Sequence, residues 1–139
     1  FFFKQKTAYE ISTRDWSSDV CSSDLEAAIR VHQVLGPGFL ESVYESALCV
    51  ELGRRGIPFE RQKVVPLVYE GHRIGEHRLD LLVEGILLVE LKAVRELENI
   101  FFAVGRSQMK AAGLDSGLIL NFGSMPLGIK RIGRERTST

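Results

Sequence analysis

Cysteine is almost absent: Cys21 and Cys49 are the only two in 139 residues, too few for a disulfide framework and without metal-ligand spacing. No apolar run approaches the roughly 18 residues that span a bilayer as a helix. Lys4 follows the Phe-rich start at once, before the apolar stretch of a signal peptide can build up. These absences lead us to expect a cytoplasmic protein with no membrane contact. An excess of one charge is missing as well, since eighteen Lys and Arg offset eighteen Asp and Glu. Bulk charge therefore cannot hold nucleic acid, and any such affinity has to be local. Internal repeats, a glycine-rich phosphate loop and a low-complexity linker are also lacking. What remains is 45% hydrophobic and 26% charged, the composition of one globular domain and not of a disordered or coiled-coil chain.

Residues 1–25, FFFKQKTAYEISTRDWSSDVCSSDL, carry neither a helical nor a strand period, and the pattern changes abruptly at Glu26. The segment resembles a translated sequencing-library adapter in two ordered blocks, Phe3–Ile11 and Asp15–Leu25. We therefore expect residues 1–25 to be non-native and disordered, residues 26–136 to form a single domain, and residues 137–139 to be a tail. On this reading Trp16 and Cys21 carry no functional weight.

From Glu26, the apolar positions Ala28, Ile29, Val31, Val34 and Leu35 fall on one helical face, and Gly36-Pro37-Gly38 ends it. Leu40, Val43, Tyr44, Ala47, Leu48 and Leu52 recur at three- and four-residue steps, which predicts a second helix closing at Gly53 or Gly56. Val64 to Tyr69 is rich in β-formers, and Pro66 within it marks an edge position or a bulge. Short turns at Glu70-Gly71 and Glu84-Gly85 then predict an antiparallel meander with strands Arg73–Val83 and Ile86–Val94. A helix over about Leu97–Ala112 ends at Gly113, and Leu118–Phe122 reads as a buried strand whose crossover favours parallel pairing. Gly128–Ile132 adds a last short strand. The fold class is α/β, a mixed sheet flanked by helices in the order ααβββαβ(β).

The informative anomaly is charge inside strands that otherwise read as core. Asp80 interrupts Leu79, Leu81, Leu82 and Val83, while Glu90 and Lys92 interrupt the run from Leu87 to Val94. Side chains alternate along a strand, so Glu90 and Lys92 share a face, and the turn at Glu84-Gly85 sets their strand beside Asp80. Two carboxylates about 4 Å apart repel by roughly 4 kcal/mol at an effective dielectric of 20, which raises one pKa or recruits a cation. Oxygen-only donors suit Mg²⁺ or Mn²⁺ better than zinc. Lys92 would then orient the attacking water and offset charge on a scissile phosphate, as in metal-assisted phosphodiester hydrolysis. Spacing alone leaves a second reading open, in which Asp80 caps a turn and Glu90 and Lys92 form a solvated pair on an open sheet face.

The run Gly38-Phe39-Leu40-Glu41-Ser42-Val43-Tyr44 has the form GxxExxY. Together with Asp80, Glu90-Leu91-Lys92 and Gly117–Phe122, it closely resembles the GxxExxY protein family, which is grouped with the PD-(D/E)XK nuclease superfamily. The resemblance covers Glu26 to about Arg136 and implies a nuclease-like core. It implies that Asp80 is the metal-binding aspartate, Glu90 the second acidic ligand, Lys92 the catalytic lysine, and Glu41 the helical carboxylate that completes the metal site. For Glu41 the bland alternative is a carboxylate in the first helical turn favouring the macrodipole. Tyr44 reads as a packing residue with a satisfied hydroxyl. Relatives commonly carry a glutamine early in the helix after the Glu-x-Lys strand and an aromatic shortly before its terminal glycine. Here Gln108 sits late and that aromatic is missing; Gln108, Arg106 and Lys110 are within range of a phosphate role, but the favoured expectation is an exposed amphipathic face. His32, His72 and His77 are not expected to be ligands, and Cys49 reads as a small buried residue.

The function expected is that of a divalent-metal-dependent nuclease-like phosphodiester hydrolase, acting on DNA ahead of RNA. A competing reading is a catalytically weak or inactive nuclease-fold module used for binding or as a scaffold. Arg54-Arg55, Arg61, Lys63 and the group Lys130, Arg131, Arg134 and Arg136 are the local basic clusters. A homodimer would join them into one groove.

Overall fold

The computed structural model describes residues 22–133. Most of the adapter-like segment and the chain after Gly133 lie outside those residues. The elements are helices α1 (Ser22–Leu35) and α2 (Glu41–Arg54), strands β1 (Phe59–Tyr69), β2 (His72–Val83) and β3 (Leu87–Lys92), helix α3 (Asn99–Ala112), and strands β4 (Ser116–Asn121) and β5 (Gly128–Arg131). The order is the one read from the sequence, although α1 begins at Ser22, upstream of Glu26, and already buries Leu25.

The five strands form one sheet in the order β1-β2-β3-β4-β5. The β3–β4 pair, joined through α3, is parallel, and the other three pairs are antiparallel. The edge position of β1 agrees with Pro66, which has no N–H to give to a ladder.

Both faces of the sheet are covered, which is why its central strands read as nearly continuous apolar runs. On one face α1 and α2 bring Ala28, Val31, Tyr44, Leu48 and Leu52 against Leu87, Val89, Leu91, Leu118 and Leu120. On the other, Met109 of α3 packs with Leu79, Leu88, Ile119 and Ile132. Each fully buried leucine of this kind contributes about 1.5–3 kcal/mol. Alternation then decides the site: Glu90 and Lys92 share the parity of Leu88 and so lie on the α3 side of β3.

Tyr44 fixes where α2 starts. Its hydroxyl donates to the Gly36 carbonyl and accepts the Phe39 N–H at 3.1 Å, while its ring stacks on Phe122 with centroids 4.6 Å apart. The turn between the helices passes through Gly38 at φ +116°, open to glycine and strained for other residues. The tyrosine of the GxxExxY run is thus a staple that closes the helix–helix turn and places Glu41 at the first position of α2.

Candidate active site

The sheet opens where the charged residues sit. Between β2 and β3 the ladder runs Val83↔Leu87, Leu82↔Leu88, Leu81↔Val89 and stops. The same register continued would set Asp80 opposite Glu90. There the carboxylates take over the backbone donors: the Asp80 N–H donates to Glu90 Oε2 at 2.8 Å and the Leu91 N–H to Asp80 Oδ2 at 2.9 Å. On the other side of β2, pairing with β1 includes Arg61↔Leu81 and Lys63↔Leu79 but skips Gln62, whose φ is +55°. Side-chain alternation breaks at the same point, since Leu79 packs under α3 and Leu81 under α1 and α2. A left-handed backbone at a non-glycine residue is uncommon and costs about 1–3 kcal/mol, and such residues cluster at functional sites.

The remaining oxygens of the pair are held loosely. Asp80 Oδ1 accepts from Gln62 Nε2 at 3.5 Å, and Glu90 Oε1 accepts from Gln108 Nε2 at 3.4 Å. Burial, together with repulsion from Asp80, pushes the Glu90 carboxyl up to about 7, against the opposing pull of the Asp80 N–H, the Gln108 amide and Lys92. Burial likewise raises Asp80; the Leu91 N–H pulls it back, Glu45 adds to the rise, and Lys92 and Gln62 oppose it. Glu41 is exposed, yet it stands in the same field: partial desolvation raises it, Lys92 draws it down, and Asp80 and Glu45 push it up.

Lys92 is half-buried, and its Nζ lies 4.4 Å from the centre of the Phe101 ring, a cation–π contact. It forms no ion pair with a carboxylate among the described residues. Beside it opens a cavity of about 230 Å³ lined by Glu90, Lys92, Phe101, Gln108 and three aliphatic side chains.

Asp80, Glu90 and Lys92 are therefore brought to one strand end, as the spacing predicts. Glu41 is not gathered with them: among the described residues no three His, Cys, Asp or Glu side chains converge to hold an ion. Mg²⁺ is commonly held by one or two carboxylates plus substrate phosphate and water. A two-carboxylate set with two weakly held oxygens fits that chemistry.

The sequence did not single out Glu45 or Gln62, and it set Gln108 on the wrong face. Buried Glu45 accepts from Gln62 Nε2 at 2.8 Å and from Arg61 Nε at 2.6 Å, tying α2 to the stretch of β1 beside Asp80. Gln62 bridges Glu45 and Asp80. Gln108, expected on an exposed face, is buried against Glu90. Helical period held the signal for two of them: Glu45 recurs with Leu48 and Leu52, and Gln108 with Phe101 and Gly105. Other polar residues settle into structural roles. His32 Nε2 meets the Ser124 carbonyl at 2.8 Å and His77 Nε2 the Ser107 hydroxyl at 2.9 Å.

A family model for the PD-(D/E)XK nuclease superfamily matches residues 18–132. The chain belongs to the PD-(D/E)XK nuclease superfamily. Comparison with curated proteins and with solved structures gave no significant match. The mixed five-strand sheet flanked by helices is consistent with that superfamily's fold, and its members generally use divalent metals. A nuclease-like function and a nucleic-acid substrate in general follow from membership. Among the described residues no helix is long and apolar enough to cross a membrane.

Proposed function

We propose that the chain is a Mg²⁺- or Mn²⁺-dependent phosphodiester hydrolase of the GxxExxY family, acting on DNA ahead of RNA in the cytoplasm. The observation that supports this most directly is the pair Asp80 and Glu90. Two half-buried carboxylates at the end of one ladder repel one another, and both have pKa values raised by partial burial. A cation relieves that tension.

Asp80 and Glu90 would hold the ion, with Glu41 as the outer carboxylate of the site. The bound ion would supply polarisation of a phosphate oxygen. Lys92 places a fixed positive charge beside the carboxylates, orients the attacking water and offsets charge gathering on the phosphate. Phe101 keeps the lysine in place, and the Gln62–Glu45–Arg61 bonds hold the strand end open. The adapter resemblance of residues 1–25 remains our reading of the sequence, although Ser22–Leu25 fold as the first turn of α1 and Leu25 joins the core. A homodimer would join the basic clusters of two copies.

The test is cleavage of oligonucleotides by the purified chain with Mg²⁺ or Mn²⁺. Asp80→Ala and Lys92→Ala should each lower the rate by about 100-fold or more while the circular dichroism stays unchanged. Equal activity in both variants would trace the cleavage to a contaminant and overturn the proposal. A second reading, a nuclease-fold binding or scaffold module, draws on the lack of a three-carboxylate group among the described residues and on the zero net charge. It predicts nucleic-acid binding without turnover.

A further inference from the structure

Phosphate chemistry accounts for only one side of the cavity next to Lys92. Glu90 and Lys92 form a polar rim, whereas Ile100, Phe101, Val104 and Ile119 form an apolar wall. Ile100 and Val104 stay 57% and 41% exposed on α3. Gln108 lines the same cavity and is only 5% exposed. Its amide nitrogen donates to Glu90, and its Oε1 has no hydrogen-bond partner. A buried carbonyl oxygen without a donor is unfavourable unless a ligand N–H reaches it.

We infer that the cavity takes an unpaired nucleobase next to the phosphate at Lys92, so that the chain prefers single-stranded nucleic acid to continuous duplex. The inference rests on the nuclease reading above. A base inside a duplex has both faces stacked and shows only its edges, so it cannot cover Ile100 and Val104. An unpaired base offers an apolar face to them and a ring N–H or exocyclic amine to Gln108 Oε1. Duplex binding draws its affinity from neutralised phosphates, and this chain has no net positive charge to spend on them. Contact between bases and apolar or aromatic side chains sustains single-strand binding with fewer cations.

The experiment measures fluorescence anisotropy of the full chain in EDTA, which prevents cleavage. The probe is a fluorescein-labelled mixed-sequence oligonucleotide, single-stranded or annealed to its complement with blunt ends, at one ionic strength. The single strand should bind about tenfold or more tightly than the duplex. The double variant Ile100→Ser, Val104→Ser, which alters only exposed side chains, should lose about fivefold or more of single-strand affinity and change duplex affinity less than about twofold. Equal or tighter duplex binding, wild-type binding by the double variant, or no binding of either probe overturns the inference. Duplex cleavage with Mn²⁺ but no single-strand preference removes the base pocket and leaves the nuclease reading standing. A single-strand preference lost in the double variant, with no cleavage under Mn²⁺, does the reverse.

Discussion

Glu90→Gln isolates the energetic tension at the end of the β2–β3 ladder. In the folded chain the Glu90 carboxyl keeps its proton up to about 7, against an ordinary value of 4.5. Because the fold holds that proton more tightly than the unfolded chain, its contribution to stability is complete below about 4.5. It fades as the pH rises and is gone above about 7. At about 1.4 kcal/mol per pH unit, ionised Glu90 costs the metal-free fold about 3 kcal/mol at neutral and alkaline pH. The amide of the variant keeps an oxygen for the Asp80 N–H and carries no charge. In urea titrations with EDTA at about pH 8, the variant should therefore be the more stable protein, with a midpoint raised by about 1–2 M. At about pH 4 the two should coincide, and Mn²⁺ at pH 8 should stabilise the wild type but not the variant. A variant no more stable than the wild type at pH 8, or a difference that ignores pH, would refute the reasoning.

Three further outcomes follow from the same geometry. Tyr44→Phe removes a hydroxyl that donates to Gly36 and accepts from Phe39, and should cost about 1–3 kcal/mol in urea unfolding. Gly123→Ala would set a methyl group 2.5 Å from the Val94 carbonyl oxygen and 2.7 Å from its nitrogen. Since this neighbour is backbone, a loss of about 2 kcal/mol or more is expected by thermal melting. Glu41→Gln should change stability by less than about 1 kcal/mol, the range of a macrodipole contact. It should raise the Mn²⁺ concentration needed for half-maximal cleavage, and an unchanged Mn²⁺ dependence would remove Glu41 from the site.

The layer order was legible because its signals are local. Gly36-Pro37-Gly38 and Gly113 stop helices through backbone geometry, and the short turns at Glu70-Gly71 and Glu84-Gly85-Ile86 force antiparallel neighbours whatever surrounds them. Strand limits were less legible. β1 begins at Phe59, upstream of the β-rich run at Val64, because Glu60, Arg61, Gln62 and Lys63 are polar residues of an edge strand. There, pairing with β2 decides the conformation and propensity does not. The first helix likewise starts at Ser22, where no apolar period announces it.

At the site, a charge inside an apolar run is visible in one dimension, so Asp80, Glu90 and Lys92 stood out. Their neighbours did not, because Gln62, Glu45 and Gln108 matter through contacts 16 to 18 residues apart in sequence. Gln62 is the instructive case. A glutamine in a polar strand carries no mark of a left-handed φ, yet that one residue interrupts the β1–β2 pairing opposite Asp80. With the ladder interrupted on both sides, the Asp80 N–H is free to take Glu90 as its acceptor and the Leu91 N–H to take Asp80. The carboxylates are thus held by the backbone donors that sheet pairing would otherwise consume. The half-buried acidic pair is tolerated beside the core because the sheet is broken at that point.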